Sequence, residues 1–459
     1  MATLSDDPGQ TWRHGDPLAL AGALALIAVA AVVGRVLLDR GEPIVLPTPP
    51  LLAAWHPHVG AGTSLALLCV LVGVRLQRAA ARLPWRRLLL SGWLLALSWL
   101  CSLALVDGFR RGWTAILLDP NEYLHDLPRI HDPATFLRTF THYIAFGDGV
   151  TGDQVWTTHV AGHPPLATLV FWTLDRVGLG GGFWAGATCI LVASTAAVAM
   201  PVTLRELGAP DGARRLIPFA ALFPGAVWMG VSADGLFAGV AASGLSLVCL
   251  GAARRRFTVA LAGGVLLGAA VFLSYGLVLF GLVVLAAFGL TVRRHGWRAV
   301  LTPWLVAAGG AAAVAVAHLA LGFNWFTGLS VLRVRYYQGI ASQRPFSYFV
   351  YANPAAWLVA SSPLLAVGAV RAVAVLTGGR RPPWSQDRVV AVLALAGVAA
   401  AAGADASALS KAETERIWLS FGVAAYAGLA LLRGRAATWA LVGAAGWALA
   451  VNHLLYTGW

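Results

Sequence analysis

Apolar residues run through this chain in blocks of near twenty, divided by short polar breaks, from residue 17 to residue 456. A helix needs about 20 apolar residues to cross a bilayer. The blocks predict thirteen membrane-spanning helices, at 17–38, 61–77, 88–107, 183–204, 214–231, 235–252, 258–274, 276–292, 299–320, 355–377, 388–403, 417–432 and 437–456. Hydrocarbon dictates helices, because each unpaired backbone N–H or C=O in it costs several kcal/mol. The alternating pattern of barrel strands is absent, so the expected class is an all-α, polytopic integral membrane protein.

The polar breaks set its orientation. Arg75, Arg78, Arg82, Arg86 and Arg87 separate spans two and three; Arg205, Arg214 and Arg215 follow span four; Arg254, Arg255 and Arg256 follow span six. Arg293, Arg294 and Arg298 follow span eight, Arg380, Arg381 and Arg388 span ten, and Arg433 and Arg435 span twelve. Arginine favours cytoplasmic loops, and all of these fall on one side if the N-terminus is cytoplasmic and the C-terminus outside. The segment 166–178 (LATLVFWTLDRVG) tempts a further span. Counting it would break the alternation, and it is too short to cross. It is expected as a helix at or dipping into the outer interface, introduced by Pro164-Pro165. The polar start MATLSDDPGQTWRHGDP lacks a small-residue cleavage site, which predicts an uncleaved first span.

Three parts follow: residues 1–87, a cytoplasmic tail with two additional spans; 88–292, with a large outer loop at 108–182; and 293–459, with outer loops at 321–354 and 404–416. Short cytoplasmic loops leave no room for a nucleotide-binding domain. Neither a P-loop nor a dinucleotide fingerprint appears in a strand–helix context, although the chain has 51 glycines. These sit mostly in apolar helices, where small residues let helices approach.

Composition agrees with this picture. The 459 residues are 58% hydrophobic and 12% charged, about half the charge of a soluble domain. The net charge of +13 suggests a nucleic-acid partner only until its distribution is seen. The arginines lie in short clusters between spans, which report topology, so no nucleic acid is expected. Lys411 is the only lysine, a usage typical of a GC-rich genome. Cys69, Cys101, Cys189 and Cys249 are isolated in apolar runs, which suggests neither a zinc site nor a disulfide framework.

Acids are the informative minority. Asp119, Glu122, Asp126, Asp132, Asp148 and Asp153 fall in the first large outer loop, where LLDPNEYLHDLPRIHD packs the first three into eight residues beside His125 and His131. Were 121–127 helical, Glu122 and Asp126 would share a face, and a carboxylate at the rim of a bundle suits a general base; ordinary capping acids would look similar. WTTHVAGHPPL supplies His159 and His163 at i, i+4, a spacing that can ligate metal. Gly162 and the proline pair disfavour a regular helix, so hydrogen bonding to a phosphate or a hydroxyl suits them better. Asp234, between spans five and six, is either a site residue or the N-cap of span six.

Arg333, Arg335 and Arg344 lie outside, against the topological bias, among Tyr336, Tyr337, Tyr348 and Tyr351. Lys411, Glu413, Glu415 and Arg416 form a second outer cluster. Such cations would suit a lipid phosphate; mutual pairing, as of Lys411 with Glu415, is the plainer alternative. His318 and His453 read as packing residues.

An acidic cluster in a large outer loop, then HPPL before a surface helix, then AD-x-LF at the next outer turn resembles the GT-C-type polytopic glycosyltransferases, across roughly 113–290. The segment KAETERIW also looks like one in actinobacterial membrane proteins of this sort. The resemblance implies a GT-C-like fold with extracytoplasmic juxtamembrane helices and a polyprenyl-phosphate-linked sugar as donor. It further implies a glycan or glycolipid acceptor and an inverting displacement, with room for a divalent metal but no certain cofactor. It assigns the catalytic base to Asp119 or Glu122. Asp126, His159, His163, Asp234, Arg333, Arg335, Tyr336, Lys411, Glu415 and Arg416 become candidates for binding substrate. The family places this loop after its first span, whereas two further spans precede it here. A transporter or lipid-linked sugar flippase is the alternative, although few ionisable groups sit at mid-membrane depth and no matched broken helices are apparent. A non-catalytic scaffold comes third.

Overall fold

The computed structural model describes residues 12–147, 149–378 and 385–457; Asp148, Arg380 and Arg381 fall outside them. The chain is mostly helical. Among the described residues eight helices are long and apolar enough to cross a membrane, and a ninth crossing results if the bent pair Phe346–Ser361 and Leu364–Thr377 counts as one. Phe257–Leu273 and Leu419–Leu431 are apolar but shorter. Ala233–Arg254 is the most buried of the eight and Gly15–Asp39 the least, so the former stands near the middle of the bundle. Small residues permit this packing: a Cβ on Gly264 would lie 1.9 Å from the Ala307 carbonyl oxygen on Trp297–Ala320.

Two expected spans are interrupted. The apolar run 214–231 is helical only over Pro210–Ala221, breaks at Leu222-Phe223-Pro224-Gly225, and resumes over Ala226–Met229. The run 355–377 belongs to a helix that starts earlier, at Phe346, and bends by 101°. There Ser362 has φ +70° just before Pro363, which has no N–H to donate and bars its predecessor from the helical region. The segment 166–178 forms the 11-residue helix Leu166–Arg176. Trp172 and Arg176 both donate from it to the Ile130 carbonyl, so it stays within the large loop.

Loop contacts sort the polar breaks into two faces. On one, Arg214 donates to the carbonyls of Ala80 (2.7 Å) and Leu83 (2.8 Å). Arg254 pairs with Glu206, Arg433 with Asp387, and Asp211 with Gln386. The start of the first helix lies here too, because Arg371 holds Asp16 and reaches the Leu431 carbonyl. On the other face, Phe146 and Gln338 exchange two hydrogen bonds, and Arg344 donates to the carbonyls of Ile44 and Lys411. Ala53–Trp55 pairs antiparallel with Leu455–Thr457, Ala54 opposite Tyr456. His58 meets Asp107 at 2.8 Å beside this ribbon. The helix Gly15–Asp39 therefore starts at the arginine-rich face, and Leu455–Thr457 lies at the opposite one.

Candidate functional site

At the face opposite the arginines, the loop after Trp85–Val106 folds into short turns. Asp119 closes the 3₁₀ turn Ile116–Leu118. Its Oδ1 accepts from the backbone (2.8 Å) and side-chain (3.0 Å) amides of Asn121, while the residue stays exposed. Asn121 then clips two strands of the loop together: its carbonyl accepts from the His159 N–H and its side-chain oxygen from Thr158. This brings the His159 ring against Glu122, with Nδ1 at 3.1 Å from Oε1.

The expected shared face of Glu122 and Asp126 does not form. The helix is only Tyr123–Asp126, with Glu122 extended ahead of it. Asp126 turns away to accept from Arg129 (2.7 Å) and the Thr157 N–H (2.8 Å), and it fastens the loop.

Asp234 is not the N-cap. Ser232 accepts from the Gly235 N–H and caps Ala233–Arg254, leaving Asp234 in the first turn, where the helix dipole favours a carboxylate. Gly235 is required, because a Cβ there would lie 2.2 Å from the Met229 carbonyl oxygen. Asp234 pairs with Arg416 Nη1. Arg416 Nη2 donates to Glu413 (2.8 Å) and to His159 Nε2 (2.9 Å). A guanidinium can only donate, so His159 Nε2 accepts and the ring proton sits on Nδ1, toward Glu122. Glu122, His159, Asp234 and Arg416 thus form one buried chain of polar contacts, drawn from three distant stretches of sequence.

Acids outnumber cations within it. Burial works against the charge of Arg416, but Asp234, Glu413 and Glu122 more than compensate and hold it firmly protonated. Burial would likewise raise Glu413, yet Arg416 brings its carboxyl below the ordinary value. For Glu415 burial wins: it pushes the carboxyl up to about 7 despite the Leu52 N–H it accepts at 3.0 Å and the more weakly felt charge of Arg416. His163 is lowered to about 4 by burial, packed between Tyr123 and Phe237. Its Nδ1 donates to the His159 carbonyl. Among the described residues no His, Cys, Asp and Glu group is arranged to hold a metal ion. Glu122 Oε2 and the Tyr123 hydroxyl are buried without a hydrogen-bond partner.

The remaining cations divide. Lys411 donates to the Ala341 carbonyl (2.9 Å), not to Glu415, and its backbone N–H donates to the Tyr336 hydroxyl. Arg335 lies over the Phe146 ring at 3.8 Å. Arg333 is exposed on Trp325–Gln338. His318 stacks on Phe272, as expected of a packing residue, whereas His453 bonds Thr63 at the rim.

Asn353 organises the Arg416 side of the site. Ala412 and Glu413 both have positive φ, +83° and +63°, each costing about 1–3 kcal/mol. The buried Asn353 side chain accepts from the Ala412 N–H and donates to Asp405 and Ser410, and its carbonyl takes the Thr414 hydroxyl. An amide inside the apolar run YANPAAW was its one sequence signal.

No protein-family model matches the chain, and no curated protein does.

Proposed function

We propose that this protein is a membrane glycosyltransferase, moving a sugar from a polyprenyl-phosphate donor to a hydroxyl of a glycan or glycolipid with inversion. The observation that carries the reading is the buried Glu122–His159–Arg416–Asp234 network, whose Glu122 lies three residues along the chain from exposed Asp119. Solvated loop acids give no reason for such residues to gather, and neither does a scaffold.

In this reading Asp119 is the base that takes the acceptor's proton, being the acid of the cluster that solvent reaches. The acceptor oxygen attacks the anomeric carbon, and the lipid phosphate leaves with the electron pair of the broken bond. Glu122 and His159 position the loop. Arg416 is committed to Asp234, Glu413 and His159 and contributes a fixed field. Arg333, exposed on the neighbouring helix, is the better candidate for meeting the departing phosphate. Two buried groups without partners, Glu122 Oε2 and the Tyr123 hydroxyl, suit a sugar hydroxyl.

The same proposal places the site outside the cell membrane, with thirteen crossings, a cytoplasmic N-terminus and an external C-terminus. The two-face sorting of the loop contacts supports the alternation, and the arginine bias supports its direction.

The test is transfer by the purified, reconstituted protein from a panel of labelled polyprenyl-phosphate sugars. Asp119→Asn is expected to lower transfer about 10²–10⁴-fold, the range for loss of a general base, with the unfolding temperature unchanged. Glu122→Gln should lose both rate and stability. Full activity in both variants overturns the reading.

A further inference from the structure

A second site lies at the arginine-rich face, remote from the chemistry proposed above. A cavity of about 970 Å³ opens there between Gly62–Ala79, Pro210–Ala221 and Gly434–Leu454. The first and last of these helices are joined at the opposite face, where Thr63 bonds His453.

The walls of the cavity are of two kinds. Arg78, Arg214, Arg215, Arg433 and Arg435 surround it. Asp211 lines it too, and Asp387 lies behind, pairing with Arg215 and Arg433. These two carboxylates leave an excess of positive charge. Arg214 is anchored on backbone carbonyls, which orient its guanidinium without neutralising it, while Arg78 and Arg435 stand exposed at the lip. The helix Gly434–Leu454 starts here with no side-chain cap at Arg433, so its first-turn N–H groups add a positive end. Beneath the arginines the lining is apolar, with Pro218, Phe219, Leu432 and Ala437. Trp439, 67% exposed, flanks the opening as tryptophans do at a membrane interface. The Oε1 of Gln77, also in the wall, is buried without a hydrogen-bond partner, an acceptor suited to a headgroup hydroxyl.

We infer that this cavity is a binding site for an anionic phospholipid of the adjoining leaflet, its phosphate among Arg78, Arg214 and Arg435 and its chains against Phe219 and Trp439. A free phosphate would have no use for the apolar floor. A zwitterionic lipid would bring a cation into a ring of arginines. The outward residues of Gly62–Ala79, among them Leu67, Leu71 and Val72, are exposed and apolar, so this wall borders lipid rather than water.

The test uses the full-length protein in a neutral detergent, with the unfolding temperature followed as lipid is added. Dioleoyl phosphatidylglycerol should raise it saturably, while dioleoyl phosphatidylcholine and inorganic phosphate at equal concentration should not. Arg78→Gln with Arg435→Gln should raise the half-saturating phosphatidylglycerol concentration about tenfold, the equivalent of one strong charge-assisted contact. Both residues are exposed and make no structural contact above, so folding should survive. Arg87→Gln with Arg298→Gln, on the same face outside the cavity, should change nothing. Equal stabilisation by phosphatidylcholine, stabilisation by inorganic phosphate alone, or an equal loss in the Arg87/Arg298 pair would each overturn the assignment.

Discussion

On the arginine-rich face, Arg254 meets Glu206 with nearly half its side chain in solvent, whereas on the opposite face Arg416 meets Asp234 with both side chains more than nine-tenths buried. The first arrangement recurs around that face, where Arg214, Arg215 and Arg433 reach backbone carbonyls or single acids partly in solvent; Arg371 with Asp16 is the buried exception there. The second concentrates three acids, a histidine and an arginine where water is scarce, and every member depends on the others. An exposed pair is worth about 0–1 kcal/mol. A buried pair that loses one partner costs about 3–5 kcal/mol, because the other charge is stranded. Position in the bundle, rather than residue type, separates the hydrated charges from the interdependent ones.

Arg416→Met would strain this contrast most. It strands Asp234 and Glu413, and a loss of about 3–5 kcal/mol is expected, read as a lowered unfolding temperature and a poor yield of monodisperse protein. Asn353→Leu should come next, at about 1–3 kcal/mol, because the left-handed residues Ala412 and Glu413 lose their support; the same measurement applies. Asp405 and Thr414 would be disturbed with them.

A pH series addresses Glu415. Its carboxyl titrates near 7 when folded, above its ordinary 4.5, so between those values the folded state holds more protons than the unfolded one. Stability from this group therefore falls as pH rises from about 4.5 to 7 and is level above. Glu415→Gln should remove that component, and the gap in unfolding temperature between variant and wild type should widen across the window. A constant gap would contradict it. At the small end, Arg254→Gln is expected to shift stability by no more than about 1 kcal/mol.

Much of this was readable beforehand. The all-helical class, the placement of 108–182 on the face opposite the arginine clusters and the short helix within it at 166–178 followed from run length and from where arginine falls, both local properties. Asp234 stood out as an acid between two apolar runs, His159 through its spacing from His163, and Arg416 as part of a charge cluster. Their partnership did not, because pairing between residues 159, 234 and 416 is set by packing that no local spacing encodes. Lys411 and Arg344 were expected to meet a lipid phosphate, yet both bind backbone carbonyls, a use that leaves no pattern in side-chain spacing. Asn353 went unnoticed, hidden among apolar neighbours. The break at Leu222-Phe223-Pro224-Gly225 did have a signal: Pro-Gly is a turn pair, and counting apolar residues passed over it.

The ribbon joining Ala53–Trp55 to Leu455–Thr457 bears on how the molecule is completed. Its first strand is translated long before its partner and must wait, unpaired, while the intervening helices are made. Leu455–Thr457 acts as a latch, closing this rim only once Gly434–Leu454 is in place. Deleting Leu455–Thr457 would leave the helices named above intact and Ala53–Trp55 without its partner strand.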